Sequence, residues 1–296
     1  HHPAIFACAL LNAQPMGFYA PAQLVRDARE HGVEVRPIDV NASGWDNGLE
    51  RRADGHLALR LGLRQLDGFR AEWADRLAAE RVVQPFIGIE TLAHRTMLPS
   101  RALRLLADAD AFGVLTRDRR DALWDVRRTP SRQLPLFAAA EASELGAEPS
   151  MDLPAMAQDE HVMLDYQTTR LSLKGHPMAF LRGRFRAAGV LSCEEVGRTR
   201  NGAQARAAGL VLVRQRPGKG NAIFVTLEDE TGIVNIVIWA RLFETMRRPV
   251  MTARLMMVEG TVQKSPEGVV HLMASRVHDR TGWLDRLSEG EGAEPS

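Results

Sequence analysis

Phe224, Asn235 and Trp239 are the residues whose types and spacing most directly suggest chemistry. In the stretch 222–228, Ile223, Val225 and Leu227 alternate with Ala222, Phe224, Thr226 and Glu228; in 233–239, Val234, Ile236 and Ile238 alternate with Ile233, Asn235, Val237 and Trp239. Period-two alternation puts the first set of each stretch on one face of a strand and the second on the other, so Phe224, Asn235 and Trp239 lie opposite the apolar core. Exposed rings stack on unpaired bases, each contributing ~1–3 kcal/mol, and phosphates need cations nearby. Arg214, Arg216 and Lys219, gathered around Pro217-Gly218, supply them. Trp239 has a second reading, packing against the helix that follows, and the pattern leaves both open.

A different kind of anion site is suggested by Leu66-Asp67-Gly68-Phe69. An apolar-x-Gly-apolar turn between two short helices is the helix-hairpin-helix pattern. Gly68 lets the backbone turn sharply and present amides at the next helix start to a phosphate oxygen. Arg64 and Arg70 flank the turn, while Asp67 sits where an anion is poorly served. A second copy over Ile89 to Ala111 has no hairpin glycine and is expected to brace the first. Upstream, Arg26 and Arg29 lie three apart on a helix face, as DNA contacts or as a solvated surface.

Phosphoryl transfer with two metals needs carboxylates converging on ions about 3.5–4 Å apart. No such set stands out: Asp108 and Asp110 point apart on a helix, and Glu228-Asp229-Glu230 fills a hairpin turn. Walker, Gly-x-Ser-x-Gly and His-Glu-x-x-His motifs are also missing. The apolar peptide Gln133-Leu134-Pro135-Leu136-Phe137, set in a polar tract, reads as a docking peptide or as a segment folded back on its own domain.

These groups need elements to hold them. Residues 4–12 read as a buried helix, Pro21–His31 as a second helix, Val33–Asn41 and Leu57–Leu63 as short strands, and Trp73 and Leu77 lie on a helix after the hairpin. Stretches rich in Pro, Ser, Gly and acids between 129 and 202 mark a linker. After Ala205 the pattern is three strands, a short helix over 240–248 and two strands, the order of an OB barrel. The expected fold is multidomain α+β, with a mostly helical first half and an all-β OB barrel after it. Its predicted parts are 1–50, a hairpin-repeat domain 51–118, linker and connecting helices 119–202, the barrel 203–280, and a partly disordered acidic tail 281–296.

Hydrophobic residues at 45% and charged residues at 25% suit a globular protein with real cores. A net charge of only +1 excludes binding through bulk positive charge, so nucleic-acid contact must be local. Cys8 and Cys193 form no metal or disulfide pattern, no apolar run approaches the ~20 residues of a membrane span, and no signal-peptide pattern opens the chain. A cytoplasmic setting is expected. The start at His1-His2-Pro3 reads as a cut from a longer chain or as a tag scar.

Several stretches resemble one family. His2-Pro3-Ala4, Ala9-Leu10-Leu11-Asn12-Ala13-Gln14-Pro15-Met16-Gly17-Phe18-Tyr19, Val25 to Arg29, Val35-Arg36-Pro37 and Asp39-Val40-Asn41 look like the fingers region of bacterial C-family DNA polymerases. They most resemble the error-prone branch related to the replicative polymerase III alpha subunit. The resemblance continues through Leu61 to Gln65, Thr168 to Pro177, Gly209 to Gly218 and Thr226 to Gly232, covering nearly the whole chain.

It implies the order fingers, tandem helix-hairpin-helix, linker, OB domain. It also implies a parent DNA-directed DNA polymerase, a nucleotidyltransferase used in damage-induced mutagenesis and translesion synthesis, whose palm aspartates and Mg2+ lie outside these residues. On that reading the fragment has no cofactor or catalytic residue of its own and is inactive alone. Its partners would be primer-template duplex and single-stranded template. Gln133, Leu134, Leu136 and Phe137 resemble a sliding-clamp-binding motif, with Pro135 a departure from it, and mutasome accessory proteins are the alternative route to the clamp. The rival readings are a freestanding OB module for single-stranded nucleic acid or tRNA, and a protein-docking scaffold.

Overall fold

The apolar stretch after Pro3 folds as α1 (Pro3–Asn12), with Pro at its first turn and Ala4, Ala7, Cys8 and Leu11 buried along one side. In the computed structural model the described residues are 2–15, 20–116, 118–129, 154–218, 220–266 and 268–288. The peptide Gln133–Phe137, Lys219 and the tail from 289 lie outside them. The chain divides into an N-terminal unit, His1–Ala157 with Leu164–Leu173, and a barrel unit, Gln158–Met163 with Lys174–Ser296.

In the N-terminal unit α2 (Pro21–Glu30) also begins at proline and buries Leu24, Val25 and Ala28. Three short strands, β1 (Val35–Arg36), β2 (Gly48–Arg51) and β3 (Leu57–Arg60), form a sheet in the order β1-β3-β2, with β3 parallel to β1 and antiparallel to β2. Then come a 3-10 turn (Leu63–Gln65) and the helices α3 (Ala71–Val83), α4 (Ile89–Thr96), α5 (Ser100–Asp108) and α6 (Arg119–Arg128). The first hairpin copy is therefore entered from a 3-10 turn and not from the α-helix its pattern predicts. In the second copy Met97 takes the left-handed conformation, φ 51°, that glycine commonly provides between hairpin helices. One hydrophobic core runs from Ala4 through Leu59, Trp73, Leu103 and Val126 to Leu171, so residues 1–50 and 51–118 share their interior. Each fully buried Leu or Val contributes roughly 1.5–3 kcal/mol relative to exposure.

An ion pair closes this core. The guanidinium of Arg119 is fully buried, hydrogen-bonds the Asp165 carboxylate and has Asp110 at 3.7 Å. Asp165 lies on α7 (Gln158–Thr168) and also accepts the Ser172 hydroxyl at 2.7 Å.

In the barrel unit, α8 (Pro177–Ala187) and α9 (Cys193–Arg198) precede β4 (Gln204–Gln215), β5 (Ala222–Glu228) and β6 (Ile233–Trp239). Two helices, α10 (Ala240–Thr245) and α11 (Arg247–Thr252), then lead to β7 (Leu255–Lys264), β8 (Val270–Asp279) and α12 (Gly282–Ser288). The single helix expected over 240–248 is thus two, divided at Met246. The sheet closes as β4-β5-β6-β8-β7, with β6 and β8 parallel and β4 paired back to β7. Ile223, Val225, Leu227, Val234, Ile236 and Ile238 fill the interior, as their alternation predicts. Among the described residues no helix is long and apolar enough to cross a membrane.

Closure requires a glycine at a bulge. The β7–β8 register shifts between Glu259 and Gly260, and a Cβ at 260 would overlap the Met273 carbonyl oxygen. Backbone cannot yield as a flexible side chain can. Gly260→Ala is expected to lower barrel stability by about 1–3 kcal/mol in urea denaturation, and an unchanged midpoint would show that the bulge tolerates a side chain.

The β5–β6 turn is tied to the helices before it by a buried carboxylate. Asp229 Oδ2 accepts the Cys193 amide at 2.8 Å and lies 2.6 Å from Arg182 of α8; Oδ1 accepts the amide and hydroxyl of Thr231 at 2.8 and 2.7 Å. Glu230 holds the same Arg182 at 2.5 Å.

Candidate nucleic-acid interface

On the barrel, the outward face of β5 and β6 carries Phe224, Thr226, Asn235, Val237 and Trp239. Ala222 pairs with Trp239 and Phe224 with Val237, so the two aromatic rings are diagonal neighbours on one face. Phe224 is 40% exposed and Trp239 52%. Trp239 precedes α10 and keeps about half of its surface exposed, which leaves ring area for a base to stack on. One row beyond Phe224, away from Trp239, Asn235 pairs with Thr226 and accepts a hydrogen bond from its hydroxyl at 3.0 Å, which fixes the orientation of its amide. On the parallel neighbour β8, His271 pairs with Asn235 and Met273 with Val237, extending the face by a strand. Neither was predicted, because the strand that brings them there joins by a non-local pairing.

The basic turn beside this face is divided in role. Arg216 is exposed and donates from Nε to Gly220 at 3.1 Å, closing the Pro217-Gly218 turn while staying at the surface. Arg214 turns the other way. Its Nε donates to the Val250 carbonyl at 2.7 Å and its guanidinium also binds the Ala253 carbonyl. These contacts brace the carbonyl end of α11; burial pulls the Arg214 pKa down, with Asp279 opposing that.

In the N-terminal unit, Gly68 has φ 81° at the hairpin, a conformation other side chains rarely take, and the Phe69 amide closes the turn on Leu66 at 3.1 Å. Arg70 is exposed, with Glu72 at 3.3 Å and the Trp73 ring centroid at 5.2 Å. Arg64 points inward: it donates to the Asn12 and Gln14 carbonyls at 2.9 and 3.2 Å and pairs with Asp46 at 2.6 Å. These contacts close the end of α1. Two arginines that sequence reasoning missed stand there instead. A guanidinium nitrogen of Arg101, on α5, would lie 3.2 Å from a Cβ on Gly68, and Arg170 pairs with Asp67 at 3.0 Å, offsetting the acid that weakened the hairpin as an anion site. Arg26 pairs along its helix with Glu30 at 3.1 Å, and Arg29 donates to the Leu173 carbonyl at 3.2 Å. Both contacts lie at the surface.

A helix-hairpin-helix motif model matches residues 32–122, and an OB-fold nucleic acid binding domain model matches residues 206–280. The two matched regions contain the hairpin and the aromatic face just described. Curated proteins then extend the likeness across both. The chain matches the C-terminal part of error-prone DNA polymerases. It is 57% identical over 98% of its length to the error-prone DNA polymerase of Brucella abortus biovar 1 (strain 9-941), and covers 27% of that protein. It is 54% identical over 99% of its length to the error-prone DNA polymerase of Rhodopseudomonas palustris (strain HaA2), again covering 27%. The chain thus spans about a quarter of the length of the error-prone polymerases it resembles.

Proposed function

We propose that this chain is the nucleic-acid-gripping part of an error-prone DNA polymerase. The barrel face stacks single-stranded template and the Gly68 hairpin, with Arg70 and Arg101, holds a duplex phosphate. Damage-induced mutagenesis and lesion bypass would be the setting of the whole enzyme. Chemistry would lie with residues beyond these 296. The polymerase reading is favoured over a freestanding OB module because the similarity runs through the helical unit as well as the barrel.

The observation that carries the proposal is the pair of exposed rings, Phe224 and Trp239, on one face of a barrel matched by a nucleic-acid-binding model. Trp239→Ala and Phe224→Ala are each expected to weaken binding of a single-stranded oligonucleotide by ~1–3 kcal/mol, measured by fluorescence anisotropy. Undiminished affinity in both variants would remove the stacking face from the reading.

A further inference from the structure

A second aromatic with cations on it lies elsewhere in the barrel unit. Trp283 of α12 packs against Phe185 of α8, ring centroids 4.7 Å apart. Phe185, Met178 and Leu181 of α8 and Leu284 and Leu287 of α12 are buried in one cluster, so the indole stands on a packed base. Two guanidiniums lie over this ring: Arg184 at 4.1 Å and Arg280 at 5.4 Å from its centroid.

The charges around them are unbalanced. Neighbouring Arg182, Arg186 and Arg254 pair with Asp229 and Glu230, with Glu195, and with Asp285. Among the described residues neither Arg184 nor Arg280 has such a carboxylate, and Arg280 Nε is buried with no hydrogen-bond partner there. The adjacent Asp279 carboxylate accepts the Thr281 amide at 2.9 Å. Two like charges over one ring repel each other, and a shared anion relieves that repulsion. Guanidinium groups over a ring keep edge donors for two-point contact with phosphate oxygens.

We infer that Arg184 and Arg280, held on Trp283, form a phosphate-binding clamp, and that its occupant is the backbone of a single-stranded nucleic acid. The choice of nucleic acid rests on the function proposed above. In a chain whose net charge of +1 leaves phosphate contacts to local groups, the clamp supplies two of them.

The test uses the 15N-labelled 296-residue chain, with the Trp283 indole N–H resonance assigned by its loss in Trp283→Phe. The chain is titrated with an oligothymidine of about 20 bases, with inorganic pyrophosphate alone, and with polyglutamate. The salt dependence of oligonucleotide affinity is measured for wild type and Arg184→Gln/Arg280→Gln. At ~0.7 per single-strand phosphate, the slope of log affinity against log salt becomes shallower by about 1.4, so wild type loses about sevenfold more affinity than the variant between about 50 and 200 mM salt. Trp239→Ala weakens binding but leaves the slope alone, so failure of stacking and failure of the clamp are read separately. Arg184→Lys/Arg280→Lys keeps the slope, and thermal melts confirm folding. A Trp283 shift with oligonucleotide plus the shallower slope is expected. A response to pyrophosphate only overturns the backbone assignment in favour of free phosphate compounds. A response to polyglutamate only, or an unmoved indole with an unchanged slope, overturns the clamp.

Discussion

Asp165→Ala is expected to destabilise the N-terminal unit by about 3–5 kcal/mol, because it leaves the charge of a wholly buried Arg119 without its closest partner. Asp110, at 3.7 Å, is too far to replace the direct hydrogen bond, and the Ser172 hydroxyl loses its acceptor at the same stroke. Urea denaturation gives the size of the loss, and hydrogen exchange should locate it in α6 and residues 164–173. Arg119→Met/Asp165→Leu separates burial cost from pairing. Removing both charges is often neutral or stabilising, so the double variant should regain much of what the single one loses. A loss under about 1 kcal/mol for Asp165→Ala would mean that water reaches Arg119.

Asp229→Ala should cost about 3–5 kcal/mol in the barrel unit, since Arg182, the Cys193 amide and both Thr231 donors converge on that one carboxylate. Its loss has a pH signature. Burial pushes the Asp229 carboxyl up, but the Thr231 and Cys193 hydrogen bonds and the Arg182 charge outweigh burial and hold it below the usual range. A carboxylate depressed in the folded state stabilises fully above its unfolded value, about pH 4, and that contribution is lost as pH falls through the lower folded value. Wild type should therefore lose stability in acid more steeply than Asp229→Ala. Parallel acid branches for the two proteins would place the acid-sensitive groups elsewhere.

The barrel was legible in the sequence because its signal is local. Ile223, Val225 and Leu227 are buried and Phe224 is not, which is period two read directly off neighbouring residues. The strand β2 escaped notice because Gly48–Arg51 is half polar and its burial alternates only weakly. Arginines were the least legible. Arg64 and Arg214 both donate to backbone carbonyls, which every residue has, and the Asp46 that also pairs with Arg64 lies 18 residues away, so nothing in the sequence distinguishes a brace from a phosphate contact. Arg101 and Arg170 were missed for the converse reason: they reach the hairpin from 33 and 102 residues beyond Gly68, joined to it only by tertiary structure.

The pairing of β4 with β7 and of β6 with β8 has a consequence for how recognition can evolve. A sheet with no free edge offers no row of amides and carbonyls for an incoming chain to extend, so strand addition is closed to this barrel. Whatever docks there must be recognised through side chains, and one substitution can retune preference while the scaffold beneath stays as it was.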